Sequence, residues 1–357
     1  MVILDKIFKT AVHNNASDIH VVPGEPFMLR RFGKLIKLKT DPLTPQNAEK
    51  VIFEILTPNQ KKRLLKDMQL DFSYEISGIG RFRGSAMIHN NGLGGVFRAI
   101  PLEIPDIAGL GLPEITYNIL ENHQGLVLIT GPSGHGKSTT LAAMIDYINT
   151  NKALHILTVE DPIEFIHPIK KGVVNQRQLG SGTLSYSNAL KGALREDPDI
   201  IMIGELRDLE TISLAISAAE TGHLVIGTMA TSSAPKTIDR IIDAYPPNEQ
   251  NQIRAMLSET LKAVITQRLI PAADKKRMVL APEILIGTMP LTNLIKDSKT
   301  FQIPSMMQTG KRVGMQIMDE SIMALLNEKK ITPEAAYASA NEPKRFKAIL
   351  DKEGAKV

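Results

Sequence analysis

Gly131-Pro132-Ser133-Gly134-His135-Gly136-Lys137-Ser138 decides how the rest of the chain is read. It fits the spacing G-x-x-x-x-G-K-[ST], the pattern of a phosphate cradle. Glycines let the backbone turn its N–H groups inward with no Cβ in the way. The lysine reaches the β- and γ-phosphates, and the hydroxyl is placed for Mg²⁺. A helix must start where the loop ends, so that its positive end faces the phosphates. Both flanks meet this test: residues 125–130 are a short apolar run, and residues 137–149 have helical spacing. Residues Gly131 to Ser138, with Thr139 behind them, are therefore the candidate nucleotide-binding loop, with ATP as ligand and Ser138 toward Mg²⁺.

Outward from this loop, apolar runs at 154–159, 200–203 and 223–229 alternate with helical patterns at 184–195 and 209–220. Continuous apolar runs mark parallel strands buried on both faces. The alternation predicts an α/β domain built on a parallel sheet. After residue 234 helices dominate, apart from a hairpin within 267–286, and 316–350 reads as a small helical bundle. Before the loop, residues 101–113 carry three prolines and read as a linker. The first hundred residues read as a separate α/β unit. It has a helix at 4–14 and strands at 18–22 and 27–32 around the turn at Pro23-Gly24. A second helix at 44–56 has Thr44 as N-cap and Pro45 at N1, and further strands follow at 72–76, 80–88 and 94–100.

Ligands of open α/β sheets bind at the carboxyl ends of the strands, so acids there are candidates. The run Ile200-Ile201-Met202-Ile203 ends in Gly204-Glu205, as expected of a Walker B acid holding the Mg²⁺ shell. A glutamate capping the next helix would look the same. Glu160, Asp161 and Glu164 follow another strand and suit water activation and metal contact. They also suit a solvated acidic turn stopped by Pro162. His223 opens the last apolar run, where a histidine serves structure as readily as catalysis. Arg81 and Arg83 share one strand face by the two-residue period. With Arg98 they would bring positive charge to a nucleotide from outside the loop domain, or simply meet solvent.

The chain has 357 residues, 43% of them apolar, which is enough for two domains with sizeable cores. Aromatic residues make up 4%, with no Trp, so the cores are aliphatic, and 15 Met are there to fill gaps. The net charge of +4 is mild, and neither a basic stripe nor stacking aromatics speak for nucleic acid. There is no Cys, which excludes disulfides and Cys-based zinc sites. The N-terminus lacks the pattern of a signal peptide, and no apolar stretch approaches the ~18 residues of a membrane span. These features predict a soluble, cytoplasmic protein with no direct membrane insertion.

The sequence resembles the type IV pilus retraction ATPases, the PilT-like family within the secretion-ATPase superfamily. The resemblance begins at Ala16-Ser17-Asp18-Ile19-His20 and continues through Arg81-Phe82-Arg83 and Val96-Phe97-Arg98 to the phosphate loop. An Asp box at 156–167, the Walker B strand, Thr221-Gly222-His223-Leu224 and Ile303-Pro304-Ser305-Met306-Met307-Gln308 follow in order. It implies a PAS-like N-terminal α/β domain at 1–100 and a linker at 101–113. A RecA-like P-loop ATPase domain at 114–290 and a helical C-terminal region at 291–357 follow. It also implies a homo-hexamer, with nucleotide between the two domains and the N-domain arginines at its phosphates. Glu160, Asp161, Glu164, Glu205 and His223 take the family's catalytic positions, with Mg²⁺ and ATP as cofactors. Such a ring sits in the cytoplasm, peripheral to the inner membrane at the pilus base, where hydrolysis turns a membrane platform protein. Extension ATPases of the superfamily usually carry a four-cysteine zinc site, which this chain lacks. The sequence departs from the family at Ala230, where a second His is usual, and at Thr292, where an Arg is usual. Both departures keep open an accessory ring that depends on a paralogous retraction ATPase.

Overall fold

The computed structural model of the chain describes residues 2–14, 16–31, 34–100 and 103–354. Phe32, at the end of one expected strand, and Pro101 and Leu102, which open the expected linker, lie outside them. The chain divides into two compact units. One runs to Glu103 and includes Pro162–Ile166; the other comprises Ile104–Asp161 and everything from His167 onward.

In the first unit, alternation sets one apolar and one polar sheet face. Strands β1 (Asp18–Val21), β2 (Met28–Arg31), β3 (Lys34–Lys37), β4 (Gln69–Ile76), β5 (Gly80–His89) and β6 (Gly92–Ile100) form an antiparallel sheet in the order β3-β2-β1-β6-β5-β4. Ile19, Leu29, Phe72, Phe82 and Phe97 pack with Leu4 and Phe8 of α1 (Ile3–His13), Ile52 of α2 (Pro45–Glu54) and Leu64 of α3 (Pro58–Asp67). The rings of Phe8 and Phe82 stack at 4.3 Å between centroids. Gly84 is wedged between Phe72 and Phe97, where a Cβ would meet both at 3.0 Å or less. On the other face Ser73, Arg83, Arg98, Asp18 and Arg30 form one cross-strand row. Thr44 caps α2 as its sequence predicts, its hydroxyl accepting from the Asn47 N–H at 3.2 Å.

The second unit holds a sheet in the order β13-β12-β7-β11-β10-β8-β9. Its strands are β7 (Gly125–Thr130), β8 (His155–Glu160), β9 (Val173–Gln178), β10 (Ile200–Ile203), β11 (Leu224–Met229), β12 (Leu261–Pro271) and β13 (Met278–Ile286). All neighbours are parallel except β12 and β13, whose antiparallel pairing is the expected hairpin, longer than predicted. Every residue of β7, β10 and β11 is buried, the reason their sequences are almost wholly apolar. Around the sheet lie α4 (Ile115–Ile119), α5 (Lys137–Asn151), α6 (Tyr186–Ala193), α7 (Leu209–Glu220), α8 (Ala234–Asp243) and α9 (Gln250–Thr260). The C-terminal helices are α10 (Met289–Lys296), α11 (Ile303–Thr309), α12 (Met318–Asn327), α13 (Pro333–Ser339) and α14 (Lys344–Gly354). Residues 104–113, read from sequence as linker, pack onto this unit by burying Ile107 and Leu112. Among the described residues, no helix is long and apolar enough to cross a membrane.

Candidate nucleotide-binding site

β7 runs directly into loop 131–136, and α5 begins at Lys137. Gly131 has φ 142°, and Gly134 and Gly136 have φ 77° and 83°, conformations that L side chains rarely adopt. At Gly131 there is also no room: a Cβ would stand 2.5 Å from the Gln267 carbonyl oxygen. Lys137 Nζ lies back across the loop, donating to Gly131 O at 2.9 Å and Pro132 O at 3.1 Å. Burial pulls its ammonium below the usual lysine range, and the Glu205 carboxylate draws it back up. Ser138 is exposed on the first turn of α5, Thr139 is half-buried and Thr140 is buried. The His135 ring lies over its own loop, with Nδ1 3.1 Å from Ser133 O.

Register brings the acids to the same edge. β11 lies between β7 and β10, with Thr130 beside Met229 and Ile203 beside Gly227, while Ile203 also aligns with Val159 of β8. Gly131, Ala230, Glu205 and Glu160-Asp161 therefore emerge from adjacent parallel strands at their carboxyl ends. Glu160 is buried, and its Oε1 accepts from Thr158 Oγ1 at 2.7 Å and Gln176 Nε2 at 3.0 Å. Asp161 is exposed. Glu205 Oε2 lies 2.6 Å from Arg207 Nη2. Gly204 N–H donates to Val159 O at 2.8 Å, and its carbonyl accepts from Thr228 Oγ1 at 2.5 Å, which locks the turn that aims Glu205. Tyr186 stands over this turn: a Cβ on Gly204 would come within 3.1 Å of its hydroxyl. Burial, then the negative charge of Asp161, push the Tyr186 phenol well up, so it is neutral and can donate. Sequence reading missed Tyr186 and Arg207.

A Mg²⁺ fit is tested by the donor set. Among the described residues no cluster of three His, Asp or Glu could hold a metal by itself. A nucleotide-bound Mg²⁺ needs only one or two protein oxygens beside phosphate oxygens and water. The Ser138 hydroxyl and the Glu205 carboxylate, which Lys137 senses, supply that number.

Other candidates lie elsewhere. His223 precedes β11 at its amino end, with Nδ1 3.0 Å from Ala218 O. The six residues of β11 place it roughly 20 Å from Ala230, at the opposite edge of the sheet. Within one chain His223 therefore stands apart from Glu205 and the phosphate loop. In the first unit Arg83 and Arg98 face one another across β5 and β6, with Arg81 two residues along the same face. Arg98 Nε donates to Asp18 Oδ1 at 2.9 Å, and Arg83 Nη1 is 3.7 Å from Glu164 Oε1.

Comparison with known proteins places this geometry among relatives. Residues 1–341 match the family described as type II/IV secretion system protein. The chain is 46% identical over 343 residues to the "Type IV pilus retractation ATPase PilT" of Pseudomonas aeruginosa, covering 96% of this chain and 99% of that protein. It is also 46% identical over 313 residues to a twitching motility protein of Neisseria gonorrhoeae, covering 88% of this chain and 84% of that protein. The crystal structure of the pilus retraction motor PilT with bound ADP superimposes with a TM-score of 0.88 at 42% identity, covering 97% of this chain and 98% of that one. The expected fold class, a PAS-like α/β unit before a RecA-like P-loop unit with a helical tail, agrees with these likenesses.

Proposed function

Because this chain belongs to the type II/IV secretion system protein family, we propose that it is an ATPase, splitting ATP into ADP and phosphate, and that it works as a homo-hexameric motor for type IV pilus retraction and twitching motility. It acts through a membrane platform protein, as a cytoplasmic ring peripheral to the inner membrane at the pilus base. The observation that carries this reading is the gathering of the phosphate loop, Glu205, Glu160 and Asp161 at one sheet edge. Loop N–H groups and Lys137 hold the β- and γ-phosphates, for which Lys137 leaves its carbonyl partners. Ser138 and Glu205 would hold Mg²⁺, which would supply positive charge to the phosphoryl oxygens. Glu160, oriented by Thr158 and Gln176, and Asp161 are placed to align water, with Glu205 as the further acid. Arg81, Arg83 and Arg98 supply outer positive charge, with Glu164 beside Arg83.

Steady-state hydrolysis with Mg²⁺ tests the enzyme. Turnover should be robust in the native chain and absent in Lys137→Ala; activity kept by that variant would refute the assigned loop. A second reading, an accessory ATP-binding ring that depends on a paralogous motor, draws on Ala230. This residue is exposed at the end of β11, next in register to Gly131, where the resembled family usually has a histidine. ATP binding without turnover, restored by Ala230→His, would favour it.

A further inference from the structure

The phosphate loop hangs between two buried pins on consecutive residues of β12. Just before the loop, Thr130 Oγ1 and Thr266 Oγ1 are 2.8 Å apart. Just after it, on the first turn of α5, Thr140 Oγ1 accepts from Gln267 Nε2 at 2.6 Å. All four residues are at most 1% exposed. Adjacent strand residues point to opposite faces, so Thr266 reaches its strand neighbour while Gln267 reaches the helix. Gln267 also meets the loop through its backbone, since its carbonyl oxygen is what a Cβ on Gly131 would strike at 2.5 Å. A leucine would fill this space with no polar atom to bury. The chain places an amide here instead, with its Oε1 buried without a hydrogen-bond partner among the described residues.

We infer that Gln267 is a positioning residue for nucleotide: with Thr140 it fixes the start of α5 against β12 and so holds the loop N–H groups ready for phosphate. The inference rests on the ATP-binding reading above. A loop of three glycines would otherwise lose much backbone freedom on binding phosphate, and a pre-ordered loop avoids that loss. Gln267 touches no nucleotide; it acts through the geometry of the loop.

The test uses the full chain and a fluorescent ADP analogue. Gln267→Leu keeps shape and removes both polar atoms, so thermal stability should hold while ADP binds at least about tenfold more weakly, and KM for ATP should rise more than kcat falls. Thr140→Val deletes the other end of the same bond and should weaken ADP equally. The double variant should then be no weaker than either single one by more than about twofold. Native-like ADP affinity in a folded Gln267→Leu or Thr140→Val, or additive losses in the double variant, would overturn the inference. Lys137→Ala separates the two readings. If it still binds ADP, the loop assignment itself fails; if it does not and Gln267→Leu does, only the present inference fails.

Discussion

Glu205 reaches the sheet edge already paired to Arg207 at 2.6 Å, on a turn fixed by Gly204 and Thr228. Its value is chemical rather than structural, because the turn is held by backbone groups and by Thr228. Glu205→Gln should therefore keep ADP binding, which depends on the loop, while kcat falls at least about a hundredfold, as for loss of a metal contact or base. A fall of only a few-fold in single-turnover hydrolysis would move that role to Glu160 or Asp161. His167 offers a test of stability at the same scale. It is buried, with no partner on Nδ1 among the described residues, and burial lowers its pKa from 6.5 to about 4. Asp146 pulls the other way, and Lys170 adds to the lowering. The folded chain thus keeps the ring neutral where the unfolded chain takes up a proton. Its contribution is complete above about pH 6.5 and declines as pH falls toward 4. Between pH 7.5 and 5 this should remove about 2 kcal/mol of stability. His167→Asn should shrink the difference between the urea midpoints at those two pH values by a matching amount, and an unchanged difference would show the ring is not the cause.

Among the elements, legibility followed burial. β7, β10 and α7 have the limits their sequences predict, because a strand buried on both faces reads as a short, nearly all-apolar run and a helix with a full apolar stripe keeps its period to its ends. β9 escaped because it is an edge strand whose Asn175, Gln176, Arg177 and Gln178 read as loop. β3 escaped for the same reason, being exposed along its whole length. In the site, the loop and the strand-end acids were legible from spacing alone. Tyr186 and Gln267 were not, since what recruits them is a neighbour distant in sequence; the only sign was a polar pair, Thr266-Gln267, inside an apolar run. α3 had its signal in full and was still passed over. Its Thr57, Pro58 and Gln60 form a capping box, in which Thr57 Oγ1 accepts from the Gln60 N–H at 3.3 Å and Gln60 Oε1 accepts from the Thr57 N–H at 2.9 Å. A helix with Leu64 as its one buried residue leans on such caps. Thr57→Ala should cost about 1 kcal/mol, read as faster hydrogen exchange at residues 61–67. Unchanged exchange there would mean packing of Leu64 alone sustains the helix.

At the scale of the whole molecule, phosphoryl transfer needs more positive charge than Lys137 provides. Arg207 is committed to Glu205. The arginines that the sequence marks as candidates lie on the first unit's polar face. Arg98 is held by Asp18 at 2.9 Å, whereas Arg83 has a contact of 3.7 Å with Glu164, loose enough to exchange for phosphate. In a closed ring every subunit meets its neighbour through the same heterologous contact, so a residue of one chain can complete the site of the next. If Arg83 serves across that contact, Arg83→Ala and Glu205→Gln rings should each be nearly inactive, and mixing should revive them. Random mixing in equal amounts joins an intact Arg83 to an intact Glu205 at roughly a quarter of the contacts, so up to about a quarter of native turnover should return once subunits exchange. The recovered activity should vanish on dilution below the concentration at which sedimentation shows the ring to dissociate. If Arg83 instead serves the loop of its own chain, each subunit of the mixture carries one defect of its own and no turnover returns. A fully active Arg83→Ala ring, before any mixing, would remove the arginine from catalysis altogether, leaving Lys137 and Mg²⁺ to carry the charge.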